Sequence, residues 1–294
     1  MESLRVALVT GANKGIGFAL VEGLAARMGP DDVVLLTGRD ARRVTDAAAL
    51  VAKAPGTRSR VEGRVLDVTD AGAVAEMAAE LGERHGGLDI VVSNASALLT
   101  RDRPQSEQAD EFIAVANGGT HAMLRSFGPV LRPGGRLVVV ASSLGTLGHL
   151  DPRLHPLFDG ASLDEVDKAV ESWRAAVHAG TSEGLGWPRW LNVPSKVAQV
   201  AAVRAVAAQR RATDLPKGTL IAAVCPGLVD TPLSRPWFED FSRAQSPAQA
   251  ARAILDLLLS ERADPAFYGE LVRFGGVLPW YGGTPLNEDR SLTA

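Results

Sequence analysis

The 294-residue chain contains very little cysteine and tyrosine. Its single cysteine, Cys225, excludes an internal disulfide and a zinc site built from several thiolates, which is typical of a reducing compartment. No apolar run reaches the roughly 18 residues that a membrane-spanning helix needs. The N-terminal residues lack the basic segment and apolar stretch of a signal peptide. These absences predict a cytoplasmic protein. Tyrosine is also scarce, since the chain contains only Tyr268 and Tyr281.

The charge balance also excludes some classes of partner. The net charge is −3, and 46% of the residues are hydrophobic. A chain of this length and composition can bury a large core, whereas it lacks the basic excess of nucleic-acid binders. We therefore expect a globular protein that acts on a small molecule, with no nucleic-acid partner, no membrane partner and no metal.

Short runs rich in Val and Leu alternate with Ala-rich stretches of helical length, which predicts repeated βαβ units. The predicted strands are 4–10, 33–37, 60–66, 89–93, 136–141, 219–224 and 269–274. The predicted helices are 14–28, 41–54, 71–85, 105–131, 195–213 and 247–260. No linker divides the series, so the pattern predicts one α/β domain, 1–294. Its open parallel sheet of about seven strands should be doubly wound, with a ligand crevice at the carboxyl ends of the strands.

One segment of about fifty residues interrupts this alternation after the fifth strand. The insertion, about 144–190, contains an amphipathic pattern that predicts a helix at 163–179. Two roles are open at this stage. The helix either packs on the surface or forms a wall of the substrate pocket above the strand ends.

A glycine-rich turn follows the first predicted strand directly and opens the first helix. Residues 10–17 read TGANKGIG, with glycines at Gly11, Gly15 and Gly17. Glycines suit a tight turn and a close approach of phosphate to the backbone, and a helix N-terminus attracts a diphosphate. This position between strand and helix predicts a dinucleotide site.

Charge distinguishes between the nicotinamide cofactors. An NAD site places a carboxylate near the end of the second strand, where it bonds the ribose and repels a 2′-phosphate. Here that position is Arg39, and Lys14 stands inside the glycine turn. Unless both cations are ordinary solvated surface charges, they favour NADP(H). Asp40 is better explained as a helix N-cap.

These motifs together resemble the short-chain dehydrogenase/reductase superfamily. The resemblance rests on the glycine turn, on Asp67 and Val68 after the third strand, on the segment SNAS at 93–96, and on Pro226 and Gly227 after the sixth strand. The glycine-turn segment 9–18 and the tripeptide GWP at 186–188 are similar to the carbonyl reductase branch. The resemblance implies a Rossmann-type fold and a monomer, because in that branch the insertion covers the helices through which most relatives form oligomers.

The same resemblance implies positions for the cofactor. Asp67 and Val68 should meet the adenine, Asn94 and Ala95 should lie along its ribose, and Thr231 should bond the diphosphate or carboxamide. The full set of expected cofactor residues is Gly11, Asn13, Lys14, Gly15, Ile16, Gly17, Arg39, Asp67, Val68, Asn94, Ala95, Lys196, Pro226, Gly227, Val229 and Thr231.

The family's chemistry uses a Ser and a Tyr on the carbonyl, a Lys on the nicotinamide ribose, and a helix Asn that holds a relay water. Asn117, Ser143 and Lys196 match three of these positions. The fourth, one helical turn before Lys196, is Asn192 instead of tyrosine. An amide cannot supply a proton near neutral pH, although it can donate a hydrogen bond.

Several residues are alternatives for the missing acid or for the function of Asn192. Pro194 follows closely, so Asn192 or Val193 can instead cap a helix that starts late. Tyr281 lies in a C-terminal tail that can fold over the pocket. His149, six residues past Ser143, is expected at the crevice mouth and titrates in a useful range. The insertion offers further candidates for the acid, namely Asp151, His155, Asp159, His178 and Glu183. Trp187 and Trp190 flank the site, and we expect them to form apolar walls of the substrate pocket or to belong to the core.

Three functions fit this sequence. The first is an NADPH-dependent reductase with an atypical site that acts on an activated C=C bond, an imine or a carbonyl group. The second is a non-redox cyclase, isomerase or lyase in which NADP(H) is structural. The third is a non-catalytic NADP(H)-binding protein, which the retention of Asn117, Ser143 and Lys196 disfavours.

Overall fold

The computed structural model describes residues 4–283, so the predicted domain limits, 1–294, extend beyond the described residues at both ends. One eight-stranded sheet forms the centre of the molecule, in the order β3-β2-β1-β4-β5-β6-β7-β8. All neighbouring pairs are parallel except the last, which is antiparallel. The strands are β1 (Val6–Val9), β2 (Val33–Gly38), β3 (Arg60–Val65), β4 (Leu88–Ser93), β5 (Leu131–Val140), β6 (Leu220–Val224), β7 (Leu271–Arg273) and β8 (Gly276–Leu278).

Helices cover both faces of this sheet. Every residue of β1, β2 and β6 is buried, as expected for parallel strands enclosed on both sides. The helices are α1 (Gly15–Arg27), α2 (Ala41–Lys53), α3 (Ala71–His85), α4 (Gln105–Ile113), α5 (Gly119–Phe127), α6 (Leu163–His178), α7 (Asn192–Asp214) and α8 (Pro247–Leu259). Helices α1, α2 and α8 share one apolar core, and α3 to α7 share the other. The predicted doubly wound α/β fold is confirmed.

Local sequence accounts for where several helices begin. Asp40 caps α2 by accepting from the backbone N–H of Arg43 at 3.0 Å, as predicted. Ser162 and Glu165 form a reciprocal capping box at the start of α6. In each case the side chain satisfies a backbone donor that the first helical turn leaves free.

The structure differs from the prediction at two places. The helix predicted at 105–131 is two helices, α4 and α5, joined by a π-helical turn, Ala114–Gly118, and it ends at Phe127. The prediction also lacks β8, which is only three residues long. A tight turn produces β8, since Phe274 and Gly275 both have positive φ, 48° and 78°, the geometry of two-residue hairpin loops.

The insertion packs its long helix, α6, against the body of the domain. The apolar face of α6, with Val166, Val170 and Trp173, is buried in the same core as α4, α5 and α7. His121 of α5 bonds Asp167 of α6. The predicted helix is confirmed; it packs against α4 and α7, and polar pairs join it to α5.

Among residues 4–283, no helix combines the length and apolar character needed to cross a membrane.

Candidate active site

Two adjoining clefts open at the carboxyl ends of the parallel strands, where the topology predicts a ligand site. The first, which we call the glycine-loop cleft, has a volume of about 550 Å³ and follows β1, β2, β3 and β4. The second, which we call the Lys196 cleft, has a volume of about 400 Å³ and follows β4, β5 and β6. The two share lining residues, including Ile16, Asn94 and Thr231. A long ligand can therefore extend from one into the other.

The glycine turn provides a cradle for an anion. Gly15, the first residue of α1, has φ +61°, and the nearest neighbour of a Cβ built there is Thr231 Cγ2 at 3.9 Å. Open space thus lies against the free N–H groups of the helix N-terminus. Gly17 is required by packing instead, because a Cβ there would lie 2.5 Å from Asn94 Nδ2. The loop fits a diphosphate at Gly15.

Asn94 fixes this loop against the sheet. Its side-chain amide donates to the carbonyl oxygens of Thr10 and Gly11 at 2.9 Å and 3.2 Å. The hydroxyl of Thr10 accepts from the backbone N–H groups of Asn94 and Ala95. These bonds fix the distance between the turn after β1 and the turn after β4. They thereby set the width of the cleft between the two turns.

Three cations line the far end of the glycine-loop cleft. They are Lys14, Arg39 and Arg43. Arg39 donates to Glu111 Oε1 at 3.3 Å, with both side chains mostly exposed. This arrangement fits a phosphate monoester on an adenosine ribose. The sequence prediction lacks Arg43, which lies in the first turn of α2, three residues after the N-cap Asp40.

The slot for an adenine lies beside these cations. Leu66, Asp67 and Val68 follow β3 and line the cleft. Asp67 accepts from the backbone N–H and the hydroxyl of Thr69, and these bonds lower the pKa of its carboxyl group. Of the sixteen residues predicted for the cofactor, all except Gly17 line one of the two clefts. The chain's residues therefore fit a phosphorylated nicotinamide dinucleotide.

The Lys196 cleft brings together three of the predicted catalytic residues. Ser143 follows β5, and Asn192 and Lys196 lie one turn apart at the start of α7; all three line the cleft. Asn192 is the first residue of α7, Leu191 holds the N-cap position, and no side-chain cap bond forms there. The missing N–H of Pro194 falls in the first turn, where it has no helical partner in any case. The alternative that Asn192 or Val193 caps a late helix is therefore not realised.

Lys196 is held inside the protein. Its ammonium group donates to Gln199 Oε1 at 2.7 Å, and the carbonyl oxygen of Val140 lies at 3.5 Å. Burial lowers the pKa of Lys196 to about 8, and Cys225 opposes part of that shift. The sequence prediction also lacks Gln199; a lone amide on the apolar face of α7, three residues after Lys196, was the available signal.

Asn117 faces α7 and does not line either cleft. It lies in the π-helical turn with no exposed surface, and its Nδ2 donates to the carbonyl oxygen of Ser195 at 3.0 Å. Its Oδ1 has no protein partner among the described residues. Oδ1 is therefore available to hold the predicted relay water. The bond from Nδ2 to Ser195 joins the π-helical turn to α7.

Neither tyrosine lies in the Lys196 cleft. Tyr268 is buried and donates to Asp214 at 2.8 Å; burial, with this bond, raises the pKa of its phenol. Tyr281 is exposed and donates to Asp159 of the insertion at 2.5 Å, which raises its pKa as well. The described part of this tail, which ends at residue 283, therefore packs on the insertion, and Tyr281 does not line the cleft.

His149 also lies away from both clefts. Its Nδ1 meets the hydroxyl of Thr146 at 2.8 Å, and its ring packs against Gly283 of the tail. Burial lowers the pKa of His149. The expected position at the crevice mouth is wrong because the tail residues occupy the surroundings of this ring. None of the other acid candidates lines either cleft within 4–283, namely Asp151, His155, Asp159, His178 and Glu183.

Aromatic side chains form one wall of the Lys196 cleft. The rings of Trp190 and Trp237 lie 5.2 Å apart between centroids, and Phe238 meets Trp190 edge-on at 6.4 Å. Trp187 packs instead against Trp173 in the core. Leu144 and Trp190 are the parts of the insertion that line the cleft in the described chain, since no residue of α6 does. Trp237, Phe238 and Arg273, which also lines this cleft, carry no local motif and are missing from the sequence prediction.

Comparisons with known proteins agree with this geometry. The family described as short chain dehydrogenase matches residues 5–150. Carbonyl reductase (NADPH) 3 from Mus musculus is 32% identical over 286 residues, covering 94% of this chain and 98% of that protein. Carbonyl reductase (NADPH) 1 from Homo sapiens is 30% identical over 289 residues, covering 94% and 99%.

A solved structure shows the same fold at lower identity. Salutaridine reductase from Papaver somniferum superposes with a TM-score of 0.76 at 23% identity, covering 91% of this chain and 99% of that one. From the whole-length identity to the carbonyl reductases, together with the glycine turn and the Lys196 cleft, it follows that this chain belongs to the short-chain dehydrogenase/reductase superfamily, in its carbonyl reductase-like branch.

Proposed function

We propose that this protein is an NADP(H)-dependent reductase with an atypical active site, acting on an activated C=C bond, an imine or a carbonyl group of an apolar or cyclic small molecule. The family makes it an oxidoreductase, and its curated relatives are named as NADPH enzymes. One observation carries the proposal for the site. Ser143, Asn192 and Lys196 line a single cleft that continues the glycine-loop cleft.

Each part of the cofactor can be matched to residues that would bind it. Gly15 and the α1 N-terminus accept the diphosphate, and Lys14, Arg39 and Arg43 accept the 2′-phosphate. Lys196, with Pro226 and Gly227, borders the nicotinamide end. Bound NADPH would supply the hydride and solvent water the proton that completes the reduction, while the protein binds and orients the substrate.

Asn192 and Ser143 polarise the substrate. Each can donate a hydrogen bond to a substrate oxygen, but neither can release a proton near neutral pH as an activated phenol does. This limitation matters least where charge delocalises or is neutralised as hydride arrives, as in an enone or an iminium ion. The site therefore favours such acceptors over simple ketones.

The shape and polarity of the cleft select the rest of the substrate. Trp190, Trp237 and Phe238 offer flat apolar surfaces, which suit a ring or a hydrocarbon skeleton. Within 4–283, no carboxylate lines the Lys196 cleft, and Lys196 and Arg273 are the cations there. This excess of positive charge disfavours a cationic substrate, so the cleft favours a neutral enone over an iminium ion.

A substrate panel tests the proposal directly. The purified protein is incubated with NADPH and matched enones, imines, quinones and saturated ketones, and NADPH consumption is followed by its near-ultraviolet absorbance. We expect consumption with activated acceptors and little with the ketones. If calorimetry shows that NADPH binds but no acceptor in a broad panel consumes it, the proposal is wrong.

A second candidate is a cyclase, isomerase or lyase in which NADP(H) is structural. The amide of Asn192 favours it, because orienting a substrate needs no proton donor. Product analysis by mass spectrometry separates the two candidates. A product formed without NADPH consumption supports the non-redox reaction, with unchanged mass for a cyclase or isomerase and lower mass for a lyase, whereas a mass increase of two hydrogens supports the reductase.

We further propose that the protein is a monomer. In the carbonyl reductase branch, the helices corresponding to α4 and α5 are covered by the insertion, and here α6 packs against α4 and forms ion pairs with α5 through Asp164 and Asp167. Light scattering coupled to gel filtration should give the mass of one chain, 30.9 kDa. A dimer mass would contradict this assignment.

A further inference from the structure

We propose that Gln199 is a positioning residue for Lys196, whose amide oxygen holds the ammonium group in place and keeps it protonated in a site that lacks the family's tyrosine. For its effect on catalysis, this inference rests on the proposed reductase function. Its first test needs neither substrate nor cofactor.

The orientation of the Gln199 amide is fixed by its neighbours. Its Nε2 donates to the carbonyl oxygen of Ala116 at 2.8 Å and to the hydroxyl oxygen of Thr120 at 3.0 Å. The Thr120 hydroxyl itself donates to Ala116 at 2.7 Å, so it is available to Gln199 only as an acceptor. Two acceptors on one side hold the amide nitrogen there. The amide oxygen therefore faces Lys196.

The contact between Lys196 and Gln199 is short and buried. Nζ lies 2.7 Å from Oε1, and Gln199 is 2% exposed. Lys196 and Gln199 are three residues apart and share one face of α7. One N–H of the ammonium group is used by Gln199 and a second approaches Val140, which leaves a third for the cleft.

The surrounding charges make this acceptor important. The titratable groups that share the cleft with Lys196 within 4–283 are the Cys225 thiol at the end of β6 and the Arg273 guanidinium at the end of β7. Helix α7 presents a neutral group, the Gln199 amide, to the ammonium, and this amide is held by Ala116 of the π-helical turn and Thr120 of α5. A buried ammonium without an acceptor is costly. Gln199 Oε1 accepts from Nζ at 2.7 Å, whereas the carbonyl oxygen of Val140 lies at 3.5 Å, so Gln199 provides the shorter hydrogen bond to the charged form.

The π-helical turn is part of the same arrangement. Ala116 lies in it and Thr120 follows in α5, so Gln199 joins α7 to both. Asn117 makes a parallel bond from the turn to Ser195. Movement of the turn would therefore carry the Gln199 amide, and with it the ammonium group, relative to the cleft.

The test measures the pKa of Lys196 directly. The chain has five lysines, and the other four, Lys14, Lys53, Lys168 and Lys217, are exposed. Lysine labelled with ¹³C at Cε gives one signal for each, and Lys196→Met identifies the signal of interest. Titration by NMR then reports protonation without any reaction.

Three variants give the expected pattern. Gln199→Met removes the acceptor at similar volume and should lower the pKa of Lys196 by about one pH unit, because a hydrogen bond to the charged form is lost. Gln199→Glu should raise it by a similar amount or more. Gln108→Met is the matched control: Gln108 is a buried amide of α4, bonded to Thr100 and outside both clefts, and its loss should leave the titration unchanged.

One outcome of the NMR titration would overturn the inference. If Lys196 titrates at the same pH in the wild type, Gln199→Met and Gln199→Glu, or shifts as much in Gln108→Met, Gln199 does not position it. Should Gln199→Met fail to fold by circular dichroism, Gln199→Glu alone still decides. Once a substrate is found, the fall of kcat/KM at high pH should move with the same pKa, whereas a purely structural variant lowers activity without moving the profile.

Discussion

The glycine-loop cleft and the Lys196 cleft adjoin at one edge of the sheet, but they are built in different ways. The first uses backbone groups and loops that directly follow β1, β2, β3 and β4, and side-chain identity matters there chiefly at Lys14, Arg39 and Arg43. The second depends on side chains that come from β5, α7, β7 and the segment after β6. A backbone cradle persists through sequence change, whereas one substitution in the second cleft alters the chemistry. Cofactor binding and chemistry can therefore diverge independently.

The strongest test of this separation restores the missing phenol. Asn192→Tyr should raise the reduction of simple ketones by about 1000-fold, because a positioned general acid contributes about 10²–10⁴-fold. Asn192→Phe supplies the same ring without the hydroxyl group and is the control. Steady-state kinetics with a matched ketone and enone measures the effect. Equal ketone rates in the two variants would show that the second cleft has lost more than the phenol.

A second test concerns the buried charge of the Lys196 cleft. Burial lowers the pKa of Lys196 from 10.5 to about 8. Between these pH values the unfolded chain holds a proton that the folded chain lacks, so folding stability rises with pH. The free energy of unfolding, relative to Lys196→Met, should increase by about 3 kcal/mol from about pH 7 to about pH 10.5. Urea unfolding of both proteins across this range measures it, and a flat difference would contradict the buried charge.

A third test disturbs the backbone cradle. Gly15→Val places a β-branched side chain at φ +61° and in the open space of the glycine-loop cleft. NADPH affinity should fall by about 100-fold, through backbone strain and the loss of charge-assisted bonds to phosphate. Gly56→Val carries the same strain at φ +91° in an exposed turn and should keep its affinity. Calorimetric titration measures the NADPH affinity of both variants. Equal losses of affinity would mean that backbone strain alone is responsible.

The smallest effect concerns the charges around the cradle. Glu111 pairs with Arg39 across an exposed contact, so it competes with a 2′-phosphate for the guanidinium group. Glu111→Gln should tighten NADPH binding by about threefold, since exposed pairs are worth roughly 0–1 kcal/mol, and salt should reduce the gain. Glu107→Gln, on the same helix and paired with Arg103, is the control. An unchanged affinity in Glu111→Gln would show that this pair does not compete.

Sequence prediction succeeded where structure is local. The glycine turn, the Asp40 cap and the series of strands and helices depend on neighbouring residues, and the clefts lined by most of the predicted cofactor residues lie at the ends of those strands. Gln199 and Trp237 were missed because their partners are distant in sequence and no spacing links them. His149 was misplaced because six residues of separation say nothing about the tail that packs on its ring. Two glycines in succession, at 118 and 119, were the local sign that the long predicted helix would not remain regular.

The tryptophan pairs give the molecule two separate optical signals. Trp190 and Trp237 lie together in the Lys196 cleft, whereas Trp173 and Trp187 lie together in the core that the insertion forms with the domain. Nicotinamide in its reduced form absorbs where tryptophan emits, and energy transfer weakens steeply with distance. In variants that keep one pair and replace the other pair and Trp280 by Phe, quenching of Trp190 and Trp237 thus reports cofactor occupancy, while the emission wavelength of Trp173 and Trp187 reports whether the insertion remains docked.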